Sequence, residues 1–298
     1  MPAQFSAFPP DRAAPVLLLE EGRIYRVGRS STCELQIDHF SVSRTHVEIA
    51  WEDGGWSLTD TGSKNGLRVD GHLVSQAFVE HATWFAIGDV YCWLEPLSAE
   101  RADSLAAQIA VRRSTSRAMS QQLQRTGDVD ALLEQTIEAV LELSGMQRGF
   151  VVFAASDGVL RVRARRGIEA QDFSQRNFAG SAAAVQRCLD EKSRIVCCDT
   201  SDSPWLGARP SVQLGGIRAL TTIPLLIGDD ILGAIYTDSR EAGPVLTELD
   251  LELVENIAQN AAAALAAARL RSAVDSLRGD AADAGVQAPR WDEIRGAP

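Results

Sequence analysis

The chain is predicted to fold as a multidomain β plus α+β protein: an N-terminal β-sandwich, a helical linker and a C-terminal antiparallel sheet with flanking helices. Three observations carry this. Between residues 16 and 97, short strand-like runs recur every few residues and are separated by turn signals. From Ser98 the β-branched alternation gives way to Ala, Gln, Leu, Arg and Ser, a helical composition. After Asp128 the segments follow the order helix–strand–strand–helix–strand–strand–strand–helix, as in an antiparallel sheet with helices packed on it. A length of 298 residues suits about two domains.

Taken in order, residues 1–15 are proline-rich with little apolar periodicity, and are expected to form a loose leader. Strand-like runs then follow at Val16–Glu20, Arg23–Val27, Glu34–Ile37, Val47–Trp51, Trp56–Thr59, Leu67–Val69, Thr83–Ile87 and Val90–Glu95. Glu21-Gly22, Asp53-Gly54-Gly55, Asp70-Gly71 and Gly88-Asp89 supply turns between them. Trp51, Trp56, Trp84 and Trp93 read as core or edge packing rather than a ligand cage. No internal repeat is visible.

Between Gly28 and Gly66 the polar residues fall in three clusters: Gly28-Arg29, Ser43-Arg44-Thr45-His46 and Ser63-Lys64-Asn65-Gly66. Strand-like segments separate them, so a sheet structure would bring them to one end, where loops carry binding residues on a rigid scaffold. Arginines, hydroxyls, a lysine and an asparagine make a donor set for a phosphate and a peptide backbone. No base is paired with a nucleophile for catalysis, so no catalytic residue is assigned.

Those clusters resemble the forkhead-associated (FHA) domain, a β-sandwich that reads phosphothreonine, over roughly Val16–Leu97. The resemblance implies that Arg29 forms the charge-assisted fork to the phosphate, a task that suits a planar guanidinium. It implies that Ser43 donates its hydroxyl to the same phosphate and that Asn65 bonds the ligand's main chain. Arg44, Ser63 and Lys64 complete the expected phosphopeptide set. His46 is expected to be structural, tying the recognition loop to the strand behind it, with Gly28 and Gly66 fitting tight turns where positive φ or close approach is needed. The family usually has threonine where this chain has Lys64, which alters the expected selectivity beyond phosphothreonine.

The linker, 98–127, holds Arg112-Arg113-Ser114-Thr115-Ser116-Arg117. One reading is a solvated basic helix face. The other is a phosphorylation site at Thr115 for a basophilic kinase, where a phosphate would add about −1.5 to −2 charge among arginines.

Asp128 is read as the cap of a helix with Val129, Leu132, Leu133, Ile137, Val140 and Leu141 on one stripe, ending before Gly145. Gly149–Ala155 with Val159–Ala164, and Arg218–Leu226 with Ile231–Asp238, read as hairpins. Ser181–Glu191 is helical and Arg194–Cys198 a short strand. Thr247 and Asp250 form a capping-box-like pair that opens a helix of about thirty residues to near Arg278. The segments GIRALTTIPLLIGDDILGAIYTDS and LDLELVENIAQNAAAALAAARL resemble the GAF domain, a small-molecule sensory module, over roughly Asp128–Leu270. The resemblance implies a fold but not a ligand, so the cofactor is left unknown. Ser239-Arg240, Leu246 and Asp250-Leu251 lack most of the family's cyclic-nucleotide pattern. All four histidines (His39, His46, His72, His81) precede this domain, which argues against bilin, haem or a histidine-held metal in it. Cys197-Cys198 is either a buried core pair or, with Arg194 and Cys188 nearby, a thiol redox site.

A net charge of −11, with no basic stripe or helix-turn-helix pattern, argues against nucleic acid as a partner. With 45% hydrophobic residues and no apolar run near about 18 residues, no membrane span is expected. The five cysteines form no CxxC pair, so a reducing cytoplasm is the expected setting. The domain expectation is therefore a leader (1–15), a phosphopeptide-binding domain (16–97), a linker (98–127), a sensory domain (128–278) and a disordered tail (279–298). The expected role is a non-enzymatic phosphothreonine-dependent signalling adaptor, homodimeric through the Ala-rich last helix, whose partner is a Ser/Thr kinase or its substrate. The alternatives are the input portion of a transcriptional regulator or cyclase, and a redox sensor. The first would require an output domain such as a GxxxxGK[ST] loop, which is not found.

Overall fold

The computed structural model describes residues 1–10, 12–125, 128–154, 160–169, 181–241 and 246–283. Eleven strands build the first domain: β1 (Ala3–Phe8), β2 (Val16–Leu19), β3 (Tyr25–Gly28), β4 (Leu35–Gln36), β5 (Val47–Glu52), β6 (Gly55–Asp60), β7 (Leu67–Val69), β8 (His72–Val74), β9 (Gln76–Val79), β10 (Thr83–Ile87) and β11 (Val90–Pro96). They form a six-stranded sheet, β2-β1-β11-β10-β7-β8, and a five-stranded sheet, β4-β3-β5-β6-β9. All pairs are antiparallel except β3 with β4. The inner faces meet over Phe5, Leu19, Ile49, Trp56, Leu58, Leu67, Ile87 and Leu94, all fully buried. Trp56 is a core residue and Trp51 packs on it edge-on at 5.6 Å, whereas Trp84 meets Trp93 and Phe8 in tilted ring contacts on the outer face. Strands β8 and β9 carry exposed Leu73 and Phe78, so they lack the alternation by which a strand is read from sequence.

The expected loose leader is corrected. β1 sits between β2 and β11 in the six-stranded sheet, with Ala3, Phe5 and Ala7 fully buried. Two of its three inward residues are alanines, too small to register as an apolar stripe, and the prolines that suggest a leader flank the strand, Pro2 before it and Pro9, Pro10 and Pro15 after it. The chain then crosses to the second domain. Ala14 lies parallel to Thr247, donating to the Leu246 carbonyl at 2.8 Å and accepting from the Glu248 amide at 3.0 Å. Ala13 is buried in the second domain's core. Arg12 pairs back to Asp38 of the first domain at 3.0 Å.

Helix α1 (Ala99–Arg125) follows β11 directly. The second domain comprises α2 (Val129–Ser144), β12 (Arg148–Ala154), β13 (Leu160–Arg166), α3 (Ala182–Glu191), β14 (Ile195–Cys197), a 3₁₀ turn at Thr200–Asp202, α4 (Pro204–Gly207), α5 (Pro210–Gly215), β15 (Ala219–Ile227), β16 (Asp230–Ser239) and α6 (Glu248–Asp283). The sheet order is β13-β12-β16-β15-β14, antiparallel throughout. Asp128 caps α2 by accepting from the Asp130 amide, and Gly145 ends it in the left-handed region. One face of the sheet packs on α2 and α6 through Leu133, Ile137, Ile235, Val254 and Ile257. The other face carries α3–α5 on Phe150, Leu220, Ala234 and Tyr236.

Helix α6 opens with a reciprocal capping box. The Thr247 amide donates to Asp250 Oδ2 at 2.9 Å, and the Asp250 amide to Thr247 Oγ1 at 3.2 Å. At 36 residues α6 is about 54 Å long. It runs five residues past Arg278, so the expected tail is helical over 279–283, while 284–298 lie outside the described residues. The basic run on α1 is mostly a solvated face, with Arg113, Ser114, Thr115 and Arg117 exposed, but it is also tied to α6. Arg112 pairs with Asp250, Arg113 with Glu252 at 3.1 Å, and the Ser116 hydroxyl donates to the Leu253 carbonyl.

Truncating Phe5 tests the central placement of β1. Phe5→Ala is expected to destabilise the first domain by about 3–5 kcal/mol, read as a lower urea midpoint, where a loose leader would give no change.

Candidate functional site

The three polar clusters meet at one end of the sandwich, and backbone bonds zip them together. β3 ends at Gly28, where a Cβ would collide with the Arg44 carbonyl, so glycine alone allows this approach. The Arg29 amide then donates to the Ser43 carbonyl at 2.8 Å and the Ser30 amide to the Arg44 carbonyl at 3.0 Å. The third cluster is wound by Asp60. Its Oδ1 accepts from the Gly62 and Ser63 amides, both at 2.8 Å, and its Oδ2 accepts the Ser63 hydroxyl at 2.7 Å. These bonds hold the Asp60 carboxyl below its ordinary range against the opposing effect of burial. Ser63 Oγ in turn accepts from the Gly66 amide at 2.9 Å, and Gly66 turns the chain at φ +74°.

His46 joins the second and third clusters. Its ring is fully buried; Nδ1 accepts from the Ser43 amide at 3.1 Å, which leaves Nε2 to donate to the Gly66 carbonyl at 3.1 Å. The Lys64 amide donates to Ser43 Oγ at 3.0 Å and Asn65 Nδ2 to the Ser41 carbonyl at 2.7 Å.

The result is an open groove of about 960 Å³. Arg29, Ser43, Arg44, Lys64 and Asn65 line it, while Gly28, His46 and Gly66 lie beneath as its frame. Ser63 is corrected. Its hydroxyl is spent on Asp60 and the Gly66 amide, and it does not line the groove. Sequence reasoning passed over Asp60, although an aspartate ahead of Gly62-Ser63 is the side chain that can cap such a turn. It also passed over Phe40, Ser41 and Arg68, three further lining residues with no motif signal. Among the described residues the side chains of Arg29, Arg44 and Lys64 have no hydrogen-bond or ion-pair partner. Such an array can neutralise a compact anion and, through Asn65, hold an extended backbone.

The other candidates lie elsewhere. Thr115 is exposed on α1. Cys197 is corrected as a reactive thiol. It is buried beside Cys188 in the core under α3–α5, and burial pushes both thiols up to about 12. Arg194, expected to activate it, pairs instead with Glu255 at 2.8 Å. The half-buried Cys198 donates its thiol to the Arg12 carbonyl at 3.1 Å, one of the contacts between the domains.

A pH series tests the His46 bridge. Burial lowers the His46 pKa from 6.5, so the native ring stays neutral while the unfolded chain takes up the proton. The contribution is fully present above about pH 6.5 and is lost as pH falls through the native pKa. Urea midpoints of the wild type are expected to drop between about pH 7.5 and about pH 5.5 more than those of His46→Gln.

Comparison with known proteins gives two family matches, the FHA domain at 25–89 and the GAF domain (GAF_2) at 126–266. None of the curated proteins matches the chain. Among solved structures, FHA-1 of Rv1747 from Mycobacterium tuberculosis is 23% identical over 32% of this chain and 97% of its own, with a TM-score of 0.28. The FHA domain of CT664 from Chlamydia trachomatis is 24% identical over 32% and 99%, also with a TM-score of 0.28. The GAF domain of a phosphoenolpyruvate-protein phosphotransferase from Coxiella burnetii is 16% identical over 55% and 98%, with a TM-score of 0.45. No described helix is long and apolar enough to cross a membrane. The chain thus carries an FHA domain followed by a GAF domain.

Proposed function

We propose that the protein is a signalling adaptor that captures phosphothreonine-containing proteins in the FHA groove, with the GAF domain acting as a sensing or dimerisation module. The carrying observation is the groove itself. Arg29, which has no ion-pair partner among the described residues, lines the groove with the Ser43 hydroxyl and the Asn65 amide on backbone-locked loops. The phosphate takes the Arg29 fork and the Ser43 hydroxyl, and Asn65 bonds the peptide main chain beside the phosphothreonine. Lys64 and Arg44 add positive potential near the phosphate without a fixed hydrogen-bond geometry. Both domains are of regulatory, binding type, and the groove pairs no base with a nucleophile. A Ser/Thr kinase or one of its substrates fits as the captured protein, since either can carry phosphothreonine.

A second copy of the chain is the natural partner for the end of α6. Leu270 and Val274, one helical turn apart, are exposed on it beyond the matched GAF region. Leu270→Asp is expected to shift the species seen by sedimentation velocity from dimer to monomer. A wild type that sediments as a monomer would rule this pairing out.

The primary test is fluorescence anisotropy with a degenerate phosphothreonine peptide library, its unphosphorylated counterpart and Arg29→Ala. Binding is expected for the phosphorylated library alone, and Arg29→Ala is expected to weaken it about 10- to 100-fold, the loss of a charge-assisted pair. Equal binding of the two libraries, or binding indifferent to Arg29, would overturn the reading.

A further inference from the structure

We propose that Ser41 is a positioning residue of the groove: its hydroxyl pins the carbonyl that orients the Asn65 amide, so that Asn65 presents its oxygen to a main-chain N–H of the bound peptide. The inference rests on the phosphopeptide reading and names the residue that sets the grip on the peptide backbone.

The loop between β4 and β5 carries two serines around one apolar anchor. Val42 is buried in the sandwich core, and Ser41 and Ser43 flank it. These serines hold two consecutive residues of the third cluster. Ser43 Oγ accepts from the Lys64 amide at 3.0 Å, and the Ser41 carbonyl accepts from Asn65 Nδ2 at 2.7 Å. A carbonyl can only accept, so the second bond decides which end of the Asn65 amide turns toward the loop. Asn65 lines the groove, and its Oδ1 has no partner among the described residues.

The Ser41 carbonyl is held in turn by its own hydroxyl. Ser41 is only 4% exposed, and Oγ is bonded on two sides. It accepts from the Asp89 amide at 2.9 Å and lies 2.8 Å from His39 Nδ1. The Ser41 amide also points at Nδ1, at 3.4 Å, so Nδ1 is an acceptor and the hydroxyl proton goes to it. Gly88 closes the contact at φ +60°. A Cβ there would stand 2.5 Å from the Ser41 carbonyl oxygen and 2.6 Å from Oγ, so the β10–β11 turn rests directly on this serine. One hydroxyl thus ties the loop to a turn 48 residues away, and Asn65 takes its orientation from the carbonyl fixed between them. In Ser41→Ala the carbonyl is still present, but the Asp89 amide and the His39 ring nitrogen lose their partner. The loop is then free to shift and the Asn65 amide free to rotate.

The test uses the full-length protein and one labelled phosphothreonine peptide, the tightest binder from the library. Each backbone amide of the peptide is replaced in turn by an ester, which removes one N–H and leaves every side chain in place. Anisotropy is read for the wild type, Asn65→Ala, Ser41→Ala and His39→Ala, with circular dichroism confirming that each variant is folded. In the wild type an ester at one position is expected to weaken binding about five-fold, the loss of one hydrogen bond. In Asn65→Ala that ratio is expected to fall to about one. In Ser41→Ala the unmodified peptide is expected to bind about five-fold more weakly and the ester ratio to fall to about two. His39→Ala removes one of the two hydroxyl bonds and is expected to give an intermediate ratio; it decides the matter if Ser41→Ala does not fold. An ester scan with no sensitive position in the wild type overturns the inference and leaves the phosphopeptide reading standing. Wild-type affinity in Ser41→Ala, or weaker binding with the ester ratio undiminished, also overturns it, since the serine would then act on loop stability alone. Failure of every phosphothreonine peptide to bind overturns the phosphopeptide reading, and this inference with it.

Discussion

One buried imidazole holds the binding loops in place. His46 has no access to solvent, yet it carries two polar ring atoms, and burying them unpaired would cost a few kcal/mol. The Ser43 amide and the Gly66 carbonyl satisfy both. That pairing fixes the tautomer, and it also fixes the distance between two loops about twenty residues apart in the chain. The Ser43 hydroxyl and the Lys64–Asn65 backbone are placed as a consequence. The bonds of Asp60 and Ser63 do the same for the third cluster from the other side. Every loop that lines the groove is therefore tied by its backbone, which leaves cationic side chains free for a ligand.

That division of labour has a physical logic. Cations gathered at one mouth repel each other and stabilise nothing while the groove is empty, a cost that suits a site kept for an anion. The folding energy comes from elsewhere, from the sandwich core around Phe5, Trp56 and Leu94 and from the second sheet between its helix layers. The structure spends hydrogen bonds on loop shape and leaves charge for recognition.

The start of α6 is the second junction. Within four residues, Thr247–Asp250, it takes the first domain's N-terminal segment through Ala14, closes its own capping box, and accepts Arg112 from α1. Among the described residues, the linker helix through Arg112 and the N-terminal segment through Ala13 and Ala14 both reach the same helix terminus. Asp250 serves both the cap and the ion pair, so the α6 terminus is well satisfied where the domains meet.

The sequence by itself determined what depends on local pattern and residue type: the sandwich-then-α+β order, the long linker and final helices, the Asp128 and Thr247 caps, and the three polar clusters. Those features follow from periodicity and side-chain chemistry over a few residues. The structural part of His46 was legible because the family resemblance assigned it. Tertiary structure alone decided the rest. Ala3, Phe5 and Ala7 look featureless until β11 and β2 flank them. Ser63 has the same hydroxyl as Ser43, but Asp60 captures one and leaves the other on the groove wall. Cys197 and Arg194 are close in sequence, yet strand pleating buries the thiol and Glu255 takes the arginine. In each case the deciding partner lies far along the chain, and which of several equivalent side chains it meets is set by the packing of whole sheets rather than by any local pattern.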